Sequence, residues 1–223
     1  MHNFKKLSLV SVLCLCTLTV LGQDALNGCT KKIDLYRALD KLWLDHVYWT
    51  RLYLLSAIQD LPDKKPTLDR LLQNQKDLGN AIVPFYGKKN GNKLAELLKE
   101  HILISDEVVK AAASNNKAAL KTADDKWHAN ADQISEFLST ANPDNWPFKE
   151  MQKMMYEHLK LTTEEAVAII KKDWTGNIKK FDEVEKQILS MSKGIADGIV
   201  QQFPDKFALT QKKLFKKAKE SAR

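Results

Sequence analysis

Met154-Met155-Tyr156-Glu157-His158-Leu159-Lys160-Leu161-Thr162 decides how this chain is read, because it sets an acid, a histidine and, four residues on, a hydroxyl inside a run with helical spacing. Asp45-His46 with Thr50 and Glu100-His101 with Ser105 repeat the pattern. Positions i and i+4 share a helix face, so each imidazole is expected to point where its hydroxyl neighbour points. Around each copy the apolar residues keep a 3.6-residue period: Leu39, Trp43, Trp49 and Tyr53; Leu94, Leu97, Leu98 and Val108; Met151, Met154, Met155 and Ile169. The histidines lie on those stripes, not beside them.

Working outward, the same period predicts six helices. The first spans about 30–59, opened by Thr30 as N-cap and ended at Leu61-Pro62-Asp63. The second opens at Pro66-Thr67 and is stopped by Gly87-Lys88-Lys89-Asn90-Gly91. The third covers about 93–113, and Asn115-Asn116 breaks the chain. The fourth covers about 118–140 and ends at Ala141-Asn142-Pro143. The fifth starts at Asn145-Trp146-Pro147, with Pro147 in the first turn, where its missing N–H costs nothing. Thr175-Gly176-Asn177 is the expected last turn, and the sixth helix runs from Ile178 to Phe203-Pro204. No alternating strand pattern of useful length occurs. Short connections force neighbouring helices to run opposite ways, so the expected fold is an all-α antiparallel bundle of about six helices over residues 23–204. The likeness of 97–105 to 154–162, and the looser one of 79–85 to 197–203, suggests a duplicated three-helix unit.

A chain of 223 residues with 44% hydrophobic residues and only 8 Gly and 6 Pro has enough apolar surface for one good core. Residues 1–22 read differently: Lys5-Lys6, an apolar run from Leu7 to Leu21, and Val20-Leu21-Gly22 form an export signal. The mature chain is then expected to begin at Gln23, free of the membrane, in the periplasm or outside the cell. Cys14 and Cys16 leave with the signal, so Cys29 has no internal disulfide partner. Leu26-Asn27-Gly28-Cys29 also admits a second reading, a lipoprotein cleavage box. The net charge of +7 is concentrated in Lys5, Lys6 and the tail 205–223. A near-neutral body excludes broad nucleic-acid binding, which needs a basic face. The tail, with Phe207, Leu214 and Phe215 among its lysines, suits peripheral contact with an anionic membrane surface or a solvated end.

Three buried imidazoles each need a partner, because an unpaired buried polar group costs about 1–3 kcal/mol. The hydroxyls Thr50, Ser105 and Thr162, with Asp45, Arg51, Asn74, Gln75, Asp77, Asn130, Asp132 and Glu165, are the available members of a polar layer. One reading is a hydrogen-bonded network that fixes helix register. The other is a site for zinc, copper or iron on His46, His101 and His158, since bundles build metal sites from facing helices. The interval of four weakens the second, because it reaches Thr or Ser instead of Glu or His. His128 falls about 100° off its stripe and reads as boundary. Glycine-rich phosphate loops, a G-x-S-x-G elbow and H-E-x-x-H are absent from the sequence. Asp124-Asp125 and Glu164-Glu165 read as solvated faces. The function that follows is a binding or interaction module for a small ligand or protein, with a metal-binding bundle and an enzyme of unrecognised type as alternatives.

Asp45-His46-Val47-Tyr48-Trp49-Thr50-Arg51, Asn74-Gln75-Lys76-Asp77-Leu78-Gly79-Asn80-Ala81-Ile82, Trp127 with Asn130-Ala131-Asp132, Ala141-Asn142-Pro143 with Trp146-Pro147, and Gln202-Phe203-Pro204 together resemble a group of small bacterial all-helical proteins. That group carries labels such as glycosyltransferase and acetylglutamate kinase. Both activities require an α/β nucleotide-binding plan that this helical pattern lacks. The group's pattern also places a histidine near Glu185 or Gln187. None stands there in this chain, which puts in doubt a metal site reaching the sixth helix.

Overall fold

The structure, a computed structural model, describes residues 9–207, with side chains from residue 28 onward. Its elements are α1 (Leu9–Ile58), α2 (Lys64–Ala113), α3 (Lys117–Ala141), α4 (Phe148–Ile170), α5 (Trp174–Gln202) and α6 (Pro204–Phe207), with no strand among the described residues. The compact unit Tyr36–Gln202 is the bundle. No described helix is long and apolar enough to cross a membrane. The start of the expected export signal, residues 1–8, and most of the basic tail, residues 208–223, lie outside the described residues.

Three expected boundaries move. Thr30 does not open a helix: α1 runs through it from Leu9, because that stretch holds no proline and its two glycines, Gly22 and Gly28, cost only about 1 kcal/mol each in a helix. The break between the second and third helices shrinks to one residue, Gly87, with φ 80° and ψ 164°, so that Lys88 to Gly91 are already helical. That left-handed φ is open to glycine without a side-chain clash. α5 starts at Trp174, because the Asp173 carboxylate accepts the Gly176 N–H at 2.8 Å and caps the helix. Thr175-Gly176-Asn177 therefore form its first turn.

At Gly87 the two arms of α2 double back on each other. A Cβ placed on Gly79 would stand 2.4 Å from the Gly91 carbonyl oxygen, although a straight helix would hold these residues about 18 Å apart. The bundle is thus three antiparallel helix pairs: α1 with residues 64–86, residues 88–113 with α3, and α4 with α5. The ring closes where α5 packs antiparallel on α1. There the Tyr36 hydroxyl donates to Asp197, the Ser192 hydroxyl donates to Asp40 at 2.7 Å, and Tyr48 lies 5.2 Å from Phe181.

The first helix of each pair faces the centre, and the three run parallel in register. Leu54, Val109 and Ala166 share one buried cluster, and they are separated by the same intervals as His46, His101 and His158. Stepping along the axis, the equivalent positions Leu39, Leu94 and Met151 are all buried, as are Trp43, Leu98 and Met155. The three histidines follow, then Thr50, Ser105 and Thr162, then Leu54, Val109 and Ala166. A hairpin in three copies is therefore the unit of repetition that the contacts bring out, finer than a three-helix unit in two.

Candidate functional site

Each histidine is buried and tied by Nδ1 to an amide side chain 29 residues further on, carried by the second helix of its own pair. His101 Nδ1 lies 2.7 Å from Asn130 Oδ1, His158 Nδ1 lies 3.1 Å from Gln187 Oε1, and His46 Nδ1 lies 3.3 Å from Gln75 Nε2. The amides are themselves anchored one turn before the histidine. Asn130 donates to the Leu97 carbonyl at 3.2 Å, Gln187 to that of Met154 at 3.0 Å, and Asn74 to that of Leu42 at 3.0 Å. The first pair divides between Asn74 and Gln75 what one residue does in the others.

These anchors set the tautomers of His101 and His158. With their NH2 groups committed to carbonyls, Asn130 and Gln187 offer oxygens to the rings, so His101 and His158 donate from Nδ1 and carry a lone pair on Nε2. Gln75 is held the other way round, because its Nε2 donates to the Leu71 carbonyl at 2.8 Å. Its second hydrogen points to Asn74 Oδ1 at 3.2 Å, so the 3.3 Å contact with His46 Nδ1 does not fix that ring's tautomer.

Among the three central helices lies a cavity of about 70 Å³. All three histidines line it, with Thr50, Ser105 and Thr162 around its middle and Leu54, Val109 and Ala166 at the far end. The small side chains Ser105, Ala112 and Ala166 leave the space, and half-buried Ala112, Leu120, Thr163 and Val167 flank it. His101 Nε2 is buried with no hydrogen-bond partner among the described residues. Burial pushes the imidazoles down, to about 3 for His101 and about 4 for His158. His46 falls well below its ordinary value through burial first and then through its neighbours His158 and His101. All three are uncharged at neutral pH.

Several expected members of the polar layer make other contacts than with the imidazoles. Thr50 and Ser105 donate to the carbonyls of His46 and Ile102, at 2.7 Å each, and not to the imidazoles. A hydroxyl on a helix reaches its own preceding turn more easily than a ring on that turn. Asp45 pairs with Lys41 at 2.7 Å and with Arg70 at 3.7 Å, Asp77 accepts from Gln73 at 3.0 Å, and Asp132 accepts from Gln152 and Tyr156. These carboxylates sit at the half-buried edge, where water lowers the cost of their charge. Arg51 and Glu165 form a separate buried knot: Arg51 donates to Glu165 and to Asn177, both at 2.6 Å, and stacks 4.7 Å over the Phe181 ring. Glu165 is thus no solvated acid, at 1% exposure, whereas Glu164 is half-exposed and pairs with Lys180. Burial raises the Glu165 carboxyl to about 7 against the pull of Arg51. His128 stays at the boundary, edge-on to Tyr156.

Gln187 and Asn177 are the members that periodicity did not single out. The fixed interval of 29 from each histidine to an amide is the signal that finds Gln187. For the expected metal, among the described residues no three His, Cys, Asp or Glu side chains are arranged to hold an ion. The three rings share a cavity, and a metal on all of them requires the rings to move.

Comparison with protein-family models, curated proteins and solved structures finds no match. The site therefore rests on its own geometry.

That geometry makes a sharp stability prediction. Asn130→Ala strands the His101 Nδ1–H in the core and removes the packing of the amide, at a cost of about 3 kcal/mol. Asp77→Ala, at the edge, is expected to cost under about 0.5 kcal/mol. Urea unfolding midpoints of the two variants compare them directly.

Proposed function

We propose that this chain is an exported helical-bundle binding protein that takes a small ligand into the axial cavity. One observation carries the reading: three imidazoles, each held at Nδ1 by an amide, line one cavity whose far end is apolar. Small-molecule sites commonly join apolar walls to a few convergent polar groups. Acid–base catalysis fits poorly, since a base near 3 or 4 holds almost no affinity for a proton at neutral pH. Export is the part that rests on Lys5-Lys6 and the apolar run before Gln23.

A second reading has its own support. Nδ1–H groups held by amide oxygens, as in His101 and His158, are what orient metal-bound imidazoles. Native mass spectrometry of untagged, secreted protein separates the two. The expected spectrum shows a chain starting at Gln23 that carries a small organic mass. One equivalent of zinc, copper or iron favours the second reading, and a chain with neither adduct leaves the histidines as a structural network and defeats both.

A further inference from the structure

We propose that the cavity takes its uncharged ligand by a short branched alkyl group of about three or four carbons, seated against Leu54, Val109 and Ala166 and admitted between α3 and α4. The proposal rests on the reading of the cavity as a binding site and adds the chemistry of the group that enters it.

The wall sets the polarity. Leu54, Ile102, Val108, Val109, Trp127 and Ala166 make most of it carbon, and much of its polar complement is already engaged. Thr50 and Ser105 donate to carbonyls of their own helices at 2.7 Å each, and each imidazole meets an amide at Nδ1. His101 Nε2 is sealed off even from water. Among the described residues no Lys, Arg, Asp or Glu lines the cavity, and Arg51 and Glu165, next in sequence to Thr50 and Ala166, are spent on each other. A charged head group would shed its hydration with nothing to replace it. A carboxylate enters only by charging an imidazole that burial keeps neutral. What such a wall rewards is contact with carbon.

The repeated hairpin sets the size. Leu54, Val109 and Ala166 hold corresponding places and share one buried cluster, and alanine falls three carbons short of the leucine that α1 supplies. In a core, that difference leaves a space wherever the neighbours do not close in. Here about 70 Å³ stays open, roughly half of the 150 Å³ cavity that holds a benzene ring. The group that fills it is the size of the end of a leucine side chain. The deep wall is buried, but Ala112, Leu120, Thr163 and Val167 are only half-buried. The space therefore reaches toward the surface between α3 and α4, and a ligand larger than the cavity leaves its remainder there.

The test uses the full mature chain and four near-isosteric probes, isobutene, acetone, acetamide and acetate, with zinc ion as a fifth. Methyl ¹H–¹³C spectra report the far end through Leu54, Val109 and Ala166, and imidazole ¹⁵N spectra report zinc. Isobutene is expected to shift the three sets of methyls saturably, about tenfold or more tightly than acetone, whose carbonyl finds no donor at the far end. Acetamide and acetate are expected to leave the methyls unmoved. Ala166→Leu is expected to abolish the isobutene response and the milder Ala166→Val to weaken it, with the unliganded spectra of both still those of a folded chain. A response as strong in Ala166→Val as in the parent places the probe elsewhere and overturns the proposal. Acetone or acetamide bound as tightly as isobutene overturns the alkyl assignment and leaves a ligand cavity standing. Stoichiometric zinc on the imidazoles with no response to isobutene overturns it in favour of the metal, and silence toward all five probes removes the alkyl ligand and the binding site together.

Discussion

Acidification from about pH 6.5 to about 4.5 is expected to cost the bundle about 5 kcal/mol of stability, a slope of about 3 kcal/mol per pH unit. The histidines set the sign. Each titrates near 6.5 when unfolded, but in the native state His101 is held near 3, His158 near 4 and His46 well below the ordinary value. The unfolded chain therefore binds three more protons than the native one in this window, so stability is full above about 6.5 and is lost as pH falls. Glu165 works in the opposite direction. Its native carboxyl, near 7, lies above the ordinary 4.5, so the folded state holds a proton that the unfolded state has released, and this contribution fades as pH rises toward 7. At about 1.4 kcal/mol per proton and pH unit, three groups against one leave the net slope stated, and stability levels off above about pH 7. Guanidinium unfolding at pH 4.5, 5.5, 6.5 and 7.5 measures it. A flat profile would mean that the imidazoles are hydrated in the folded protein, and their burial in the core would be overturned.

Why the helices were legible in the sequence and the repeat only in part has a physical answer. Periodicity reports which face of a helix is buried, and the stripes through His46, His101 and His158 are buried as expected. Boundaries depend on single residues that end or cap a helix, and one well-placed atom decides them: the Asp173 carboxylate starts α5, and Gly87 alone turns α2. The repeat was partly visible. Residues 97–105 and 154–162 lie on the central helices of the second and third pairs, while 79–85 and 197–203 lie on the outer helices of the first and third. Both likenesses step by whole hairpins, but the amides that define the hairpin differ in kind. Asn130, Gln187 and the Asn74-Gln75 pair do one task with different side chains, so only the interval of 29 connects them. Side-chain direction was the harder matter. Asp45 adjoins His46 in sequence, yet neighbours on a helix diverge by about 100°, and the carboxylate ends on Lys41 at the edge.

Gly198→Ala is expected to destabilise the protein by about 4 kcal/mol, while Gly194→Ala, one turn earlier on α5, stabilises it by about 0.5–1 kcal/mol. The two positions differ in what an added methyl meets. At Gly198 it would lie 2.1 Å from Trp146 Nε1 and 2.7 Å from Trp146 Cε2, whereas at Gly194 the nearest atom is the flexible Cε of Met154 at 4.0 Å. Trp146 is 1% exposed, donates to the Gly194 carbonyl at 3.2 Å and packs 5.6 Å from Tyr86. Its ring is wedged between α5 and the first arm of α2 and has no empty direction to take. An alanine at 198 therefore either expels the indole, forfeiting much of the burial of the largest side chain in this part of the core, or pushes α5 off its neighbours. The second outcome also strains the Asn142 side chain, which donates to the Gly198 carbonyl at 2.9 Å. At Gly194 the methyl enters free space and only the helical preference of alanine over glycine is felt. Thermal unfolding followed by tryptophan fluorescence reads both, since exposure of Trp146 shifts its emission to the red. A Gly198→Ala variant as stable as the parent would show that the indole does not occupy the slot between Gly194 and Gly198, and the packing of α4's entry against α5 would have to be redrawn.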